Sequence, residues 1–381
     1  MTDFSRLVPR HIRALGSYTP GKPVRQAERE SGVSCIKLAS NENPFGPSPK
    51  AVEAIRQAAA EANYYPDNDT SELRLRLAEH HGVQPEQTLV TNGSTSLLGI
   101  MARALLGPGK NAVTSERTFI VYPIVTKSTG AKFIQVPTRN NGYDLDAIAA
   151  AVDRNTRLIF LANPNNPTGT MVNASAVDAF LDKLPDHVVV ALDEAYSDFA
   201  SDFAEQRGVE YSHAMEYVRQ RRNVVVLRTF SKAHGLAGIR VGYGVGPAEL
   251  MTAFNKLRTT FSVSGVAEAA ALAALKDTAH TRMTIKNNRA GAEFLSKKLR
   301  ESGFDPVPTW ANFVFFESGE EALPLAKRIQ AEGVIVRPMH TWGIPTGIRV
   351  TVGTPEQNEM FIAALAKAIE KSPAVSALEN S

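Results

Sequence analysis

The chain has 381 residues, 43% hydrophobic, 7% aromatic and 21% charged, which are the proportions of a soluble globular protein of about two domains. Its net charge is only +3, with 42 Lys and Arg interspersed among 39 Asp and Glu, and this balance argues against a dedicated nucleic-acid surface. Met1 to Leu15 hold no continuous apolar core, no run approaches the ~20 apolar residues of a membrane span, and one cysteine excludes an intramolecular disulfide, so a cytoplasmic protein without membrane contact is expected.

Along the chain, Val33-Ser34-Cys35-Ile36 makes Cys35 a buried small side chain rather than a nucleophile. Ser48-Pro49 reads as an N-cap followed by proline at the first helical position, opening a helix to about Asn63. A second helix spans about Ser71 to His81 and stops at Gly82, a favoured C-cap residue. His80 and His81 are adjacent on it and face different ways, so they read as solvated or capping residues, and no metal site is expected. Strands then alternate with helices: strand 88–90, helix 96–106, strand 111–114, helix 119–128, strand 132–136, helix 145–152, strand 157–162 and helix 174–184. Further strands are expected at 188–192, 224–227 and 241–245.

This alternation predicts an α/β fold, with a mostly parallel, doubly wound sheet in a large domain. After about residue 275 the texture changes to a long basic helix, a strand near 312–316, a helix, strands near 334–336 and 348–352, and a last helix from Pro355. We therefore expect a large domain over 46–275 and a smaller α/β domain over 276–381, to which the segment 1–45 returns.

Sites in such sheets lie beyond the carboxyl ends of the strands, and three loops follow apolar runs in that way. The first is Thr229-Phe230-Ser231-Lys232-Ala233-His234-Gly235, continuing to Arg240. Two hydroxyls and an arginine suit a phosphate dianion, and a lysine desolvated beside such cations has reason to lose its proton and form a Schiff base. A phosphate-cradling loop of a nucleotide enzyme is the alternative reading of the same residues. The second is Asp193-Glu194-Ala195-Tyr196, where an acid at the mouth of a buried strand is a cap, a metal ligand or a partner for a ligand cation. The third, Asn163-Pro164-Asn165-Asn166-Pro167-Thr168-Gly169, is by composition an ordinary turn. Asn92-Gly93-Ser94-Thr95 adds a glycine and free N–H groups at a helix start, a good place for phosphate.

In order and spacing, from about Asn41 to about Thr354, these loops resemble the fold-type-I, aspartate-aminotransferase-like superfamily of pyridoxal-phosphate (PLP) enzymes. The resemblance implies that Lys232 binds the cofactor covalently, that Asp193 pairs with the pyridine nitrogen, and that Tyr196 and Asn166 hold the ring's phenolic oxygen. It further implies that Arg240, Thr229, Ser231, Gly93, Ser94 and Thr95 hold the cofactor phosphate and that Phe119 stacks on the ring. Arg117 stands where the family usually carries a proline, and His234 where it usually carries an aromatic or apolar residue.

Within the superfamily the chain most resembles histidinol-phosphate aminotransferases, through Leu38-Ala39-Ser40-Asn41-Glu42-Asn43-Pro44-Phe45-Gly46, Tyr64-Tyr65-Pro66-Asp67 and Gly347-Ile348-Arg349-Val350-Thr351-Val352-Gly353-Thr354. That likeness implies a homodimer in which Tyr65 reaches the neighbouring subunit's cofactor phosphate, and Arg349, Arg337, Tyr18 and Asn41 at the substrate. A transaminase accepts two substrates in one pocket, here an amino donor and a 2-oxo acid. Arginine is the natural fork for either a carboxylate or a phosphate. An aromatic-amino-acid aminotransferase, a decarboxylase and an inactive regulator on the same scaffold remain as alternatives.

Overall fold

The expected runs form the strands and helices of a computed structural model that describes residues 4–16 and 20–371. The first strand is the two-residue β1 (Ile36–Lys37). A seven-stranded sheet follows, built from β2 (Thr88–Thr91), β3 (Asn111–Ser115), β4 (Lys132–Val136), β5 (Thr156–Ala162), β6 (Val189–Asp193), β7 (Val224–Thr229) and β8 (Gly242–Val245), in the order β2-β8-β7-β6-β5-β3-β4. The pairings among β3, β4, β5, β6 and β7 are parallel. Only β8 runs against its neighbours β2 and β7. No helix separates β7 from β8, so the chain has no crossover to make and returns beside itself as an antiparallel strand.

The central strands are almost wholly apolar, as a sheet covered on both faces requires. Leu158, Ile159, Phe160, Leu161, Ala191, Val225, Val226 and Leu227 are fully buried. Each such large side chain contributes about 1.5–3 kcal/mol by leaving water. The helix caps behave as their residue types dictate. Ser48 accepts a hydrogen bond from the Ala51 N–H at 3.1 Å, and helix Ser71–His81 ends at Gly82 with φ of 62°.

The remaining strands are β9 (Phe313–Glu317), β10 (Val334–Ile335), β11 (Arg337–Pro338) and β12 (Gly347–Thr351). Three of them form an antiparallel sheet, β11-β12-β9, packed with helices 278–301, 322–331 and 355–370 around a core that includes Leu295, Phe316, Leu325, Val350 and Phe361. The N-terminal segment reaches this second core because β1 pairs in parallel with β10.

Several helices were not anticipated. Val24–Ser31 is largely polar, and Gly265–Lys276 is so rich in alanine that no apolar period stands out. Cys35 is buried, as its sequence setting implies. His81 corrects an expectation: it is neither solvated nor a cap, but is buried with its Nε2 2.8 Å from the Tyr243 hydroxyl on β8. Helical spacing alone gives no sign that β8 would pass beneath it.

The β7–β8 connection is pinned to the segment before helix 49–58. Gly235 has φ of 69°, and a Cβ there would overlap the Gly46 carbonyl. Gly235→Ala should therefore cost about 1–3 kcal/mol. Denaturant unfolding measures it; a midpoint equal to the parent's would show that this contact is not tight.

Candidate active site

Strands β5, β6 and β7 run side by side and end together, Ala162 beside Asp193 and Asp193 beside Leu227. Beyond these ends lies a cavity of about 280 Å³, closed by the start of helix 94–105, the segment around Ala39 to Glu42, and the second sheet. Most of the residues expected to act together face it.

Lys232 projects from the β7–β8 connection, its amine 3.3 Å from the Ser40 carbonyl, to which it donates, and 5.6 Å from the centroid of the Tyr196 ring. Burial, followed by repulsion from Arg349, pushes its pKa down to about 7. Near neutral pH a large share of this amine is the free base, the form that attacks a carbonyl or accepts a proton.

At the floor, Asp193 is buried at the end of β6. Its Oδ2 accepts a hydrogen bond from the Tyr122 hydroxyl at 3.0 Å, while Oδ1 is buried and accepts none among the described residues. Burial raises the carboxyl to about 6, and the Tyr122 bond offsets part of that rise. A buried carboxylate oxygen without a donor is costly, and a ligand cation or N–H placed there would satisfy it.

Tyr196 is enclosed by amides. Asn41 donates to its hydroxyl at 2.8 Å and Asn166 at 3.3 Å. The Asn166 carbonyl oxygen in turn accepts from Arg349 Nη1 at 2.5 Å, while Arg349 Nη2 donates to the Ala39 carbonyl at 3.0 Å. One side chain, Asn166, thus links the phenol to the guanidinium.

At the opposite end a polar cradle faces the cavity. Thr229 and Ser231 are buried with their hydroxyls 3.0 Å apart, and Arg240 Nη1 lies 3.5 Å from Ser231 Oγ. Ser94 and Thr95 begin helix 94–105 on the same wall. Gly93 caps that helix from behind. Its φ is 92°, a conformation that L side chains rarely adopt, and a Cβ there would sit 2.5 Å from Arg240 Nη2 and push the guanidinium aside. Helix N–H groups, two hydroxyls and an arginine form a site for a dianion.

The third wall carries a charge conflict. Arg337 on β11 and Arg349 on β12 are direct cross-strand partners, and both are buried. Like charges in that relation destabilise a sheet unless neighbouring groups offset them. Arg337 also lies over the Trp342 ring, 5.1 Å from its centroid.

Phe119 lines the cavity, edge-on to Tyr122. Tyr65 does not reach it: the ring is 83% exposed and packs on Phe261 at 4.6 Å. Tyr18 lies outside the described residues. Arg117 adopts φ of 49°, which the ring of a proline forbids, so this loop differs in shape from a proline-bearing one. His234 lines a smaller space behind the loop and packs against Phe230, with tilted rings whose centroids are 5.0 Å apart. Sequence reasoning missed Tyr122 and Trp342. Tyr122 sits three residues after Phe119, a spacing that would have placed both on one helical face; no signal marked Trp342.

An amine near neutrality, an anionic floor and a dianion cradle surround one cavity, and sequence comparison gives the class of protein that carries them. The family model for aminotransferase class I and II matches residues 33–365, and the chain belongs to that family. It is therefore an aminotransferase, and dependence on PLP is a general property of the group. Among curated relatives, the histidinol-phosphate aminotransferase 2 of Pseudomonas fluorescens is 43% identical over 97% of this chain and 99% of its own. The histidinol-phosphate aminotransferase of Akkermansia muciniphila is also 43% identical, over 93% and 96%. The crystal structure of the Sinorhizobium meliloti histidinol-phosphate aminotransferase in complex with pyridoxal-5'-phosphate superposes with a TM-score of 0.86, at 30% identity and coverage of 95% and 97%. Thermus thermophilus aspartate aminotransferase shares the fold at a TM-score of 0.80 and 24% identity.

The Asp193 geometry yields a stability prediction with a definite sign. Its folded pKa lies above the unfolded value, so folding favours the protonated form. That stabilisation is present below the unfolded value of 3.8 and is lost as pH rises through about 6. Asp193→Asn should accordingly make the cofactor-free protein more stable than the parent at pH 8, by about 1–3 kcal/mol, and by about half as much at pH 5, which lies inside the window between 3.8 and about 6. Calorimetry at the two pH values tests this; a loss of stability at pH 8 would mean that the carboxylate is paid for within the protein itself.

Proposed function

We propose that this enzyme transfers the amino group of histidinol phosphate to 2-oxoglutarate, giving imidazole acetol phosphate and glutamate, in histidine biosynthesis. The observation that carries the reading is the pair of buried guanidinium groups, Arg337 and Arg349, on facing strand positions at the cavity wall. One substrate brings a phosphate and the other two carboxylates, so each offers the pair an anion. A phenylalanine or tyrosine donor brings no anion beyond its carboxylate and makes poorer use of Arg337.

The residues fit the cofactor. The unpartnered Asp193 Oδ1 suits a protonated ring nitrogen, and the glycine-backed cradle at Arg240 suits a phosphate. When bound, PLP supplies the electron sink for the substrate's α-carbon. Lys232 would be its covalent attachment point, and its amine would serve as the base that moves the proton at that carbon. Asp193 keeps the ring nitrogen protonated. Tyr196, oriented by Asn41 and Asn166, holds the phenolic oxygen, and Phe119 covers one face of the ring. Thr229, Ser231, Ser94, Thr95, the Gly93 cap and Arg240 bind the phosphate. Arg349 receives the glutamate carboxylate, and Arg337, with Tyr18, the substrate phosphate. The residues 46–275 form the cofactor-binding domain, with 276–381 and the segment 1–45 as the smaller one. Tyr65, exposed here, completes the site of a partner subunit in a cytoplasmic homodimer.

Two experiments test this. Lys232→Ala should remain folded, and borohydride should no longer fix cofactor on the chain; cofactor fixed on another lysine would refute the central role. In single-turnover mixing with each substrate, Arg337→Ala should weaken histidinol phosphate more than glutamate, by about 2–5 kcal/mol, the cost of unpairing one partner of a buried charge pair. Arg349→Ala should damage glutamate at least as much. If Arg337→Ala leaves histidinol phosphate untouched and phenylalanine reacts faster in the parent, the aromatic reading replaces this one.

A further inference from the structure

Tyr122 belongs to no motif singled out in the sequence, yet among the described residues its hydroxyl is the side-chain donor to Asp193. The ring is fully buried on helix 121–127. It stacks on Phe160 of β5, with centroids 4.5 Å apart and planes within 8°, and meets the edge of Phe119 at 5.6 Å. A ring clamped on two sides holds its hydroxyl in one place. A carboxyl group, by contrast, has a broad terminal torsion and settles only when something ties one of its oxygens. Here Oδ2 is tied at 3.0 Å, and Oδ1 is the oxygen left without a partner on a residue that lines the cavity.

We propose that Tyr122 is a positioning residue: its hydroxyl fixes Oδ2 of Asp193 so that Oδ1 is presented to the ring nitrogen of PLP, and it keeps that carboxyl ionised. The inference rests on the role given to Asp193 above. Burial and the adjacent Asp193 charge push the phenol's pKa well up, so it serves only as a donor. The other groups around Asp193 do not replace it. Glu194 opposes ionisation of Asp193, and although Arg228 and Ser212 pair with Glu194, neither donates to Asp193. Lys232 and the Ala195 backbone favour the carboxylate, and both remain when Tyr122 is changed.

Tyr122→Phe keeps the ring and its stacking and removes only the hydroxyl. The holoenzyme should then show a PLP dissociation constant raised about tenfold, the loss of one hydrogen bond to a charged acceptor. The turnover number should fall by a similar factor with KM for the amino donor unchanged. The acidic limb of the kcat/KM profile should move to higher pH, because a carboxyl without its donor protonates more readily. A purely structural tyrosine would lower the unfolding temperature of the cofactor-free protein and leave the dissociation constant and the limb in place, and that result overturns the proposal. Asp193→Asn is measured alongside. If it weakens PLP and Tyr122→Phe does not, the inference fails while the role of Asp193 stands. If the parent binds no PLP, or Asp193→Asn binds it as tightly as the parent, both fall.

Discussion

Around a cavity of about 280 Å³ the chain places the amine of Lys232 and the guanidinium groups of Arg240, Arg337 and Arg349, with the carboxyl of Asp193 at the floor. Bringing like charges together away from water is unfavourable, and the repulsion is visible in the Lys232 amine, which Arg349 helps to deprive of its proton. The rest of the molecule can be understood as what makes this arrangement tolerable. A seven-stranded core whose strands β5, β6 and β7 are buried but for Arg157 and Arg228 provides the apolar burial that offsets it. The cations that line the cavity give it the capacity to bind anions.

Part of the compensation comes from a stretch with no regular structure. The residues after β1 run across the cavity mouth, and three of them in succession satisfy it with backbone or amide groups. The Ala39 carbonyl accepts from Arg349, the Ser40 carbonyl accepts from Lys232, and the Asn41 amide donates to Tyr196. Their placement depends on β1 pairing with β10 and on the Thr351 hydroxyl accepting from the Asn41 N–H at 2.9 Å. The second sheet therefore does more than carry two arginines. It holds the strap whose carbonyls make a cluster of cations stable enough to wait for substrate.

Much of this is legible in the sequence because function here follows strand ends. Asn166, Asp193 and Lys232 each come shortly after an apolar run, and an apolar run is the most readable feature of a parallel sheet. What the sequence conceals are relations across space. Nothing local indicates that β8 returns antiparallel, that His81 meets Tyr243 beneath it, or that Arg337 and Arg349 face each other in register. Tyr122 and Trp342 are ordinary aromatic residues until their neighbours are known. Tyr65 is the reverse case: its motif is clear, but its ring stands in solvent, and one chain alone gives it nothing in the site to touch.

The link through Asn166 suggests how one pocket can treat two anions differently. Its Oδ1 holds Arg349 while its Nδ2 holds the Tyr196 hydroxyl, so a carboxylate that draws Arg349 away also changes what Asn166 can offer the phenol. An anion at Arg349 would thereby be coupled to the group beside Lys232. Arg337 lies over the Trp342 ring. Binding energy that reaches the reacting centre raises turnover, and energy spent uniformly on the remote end lowers KM alone.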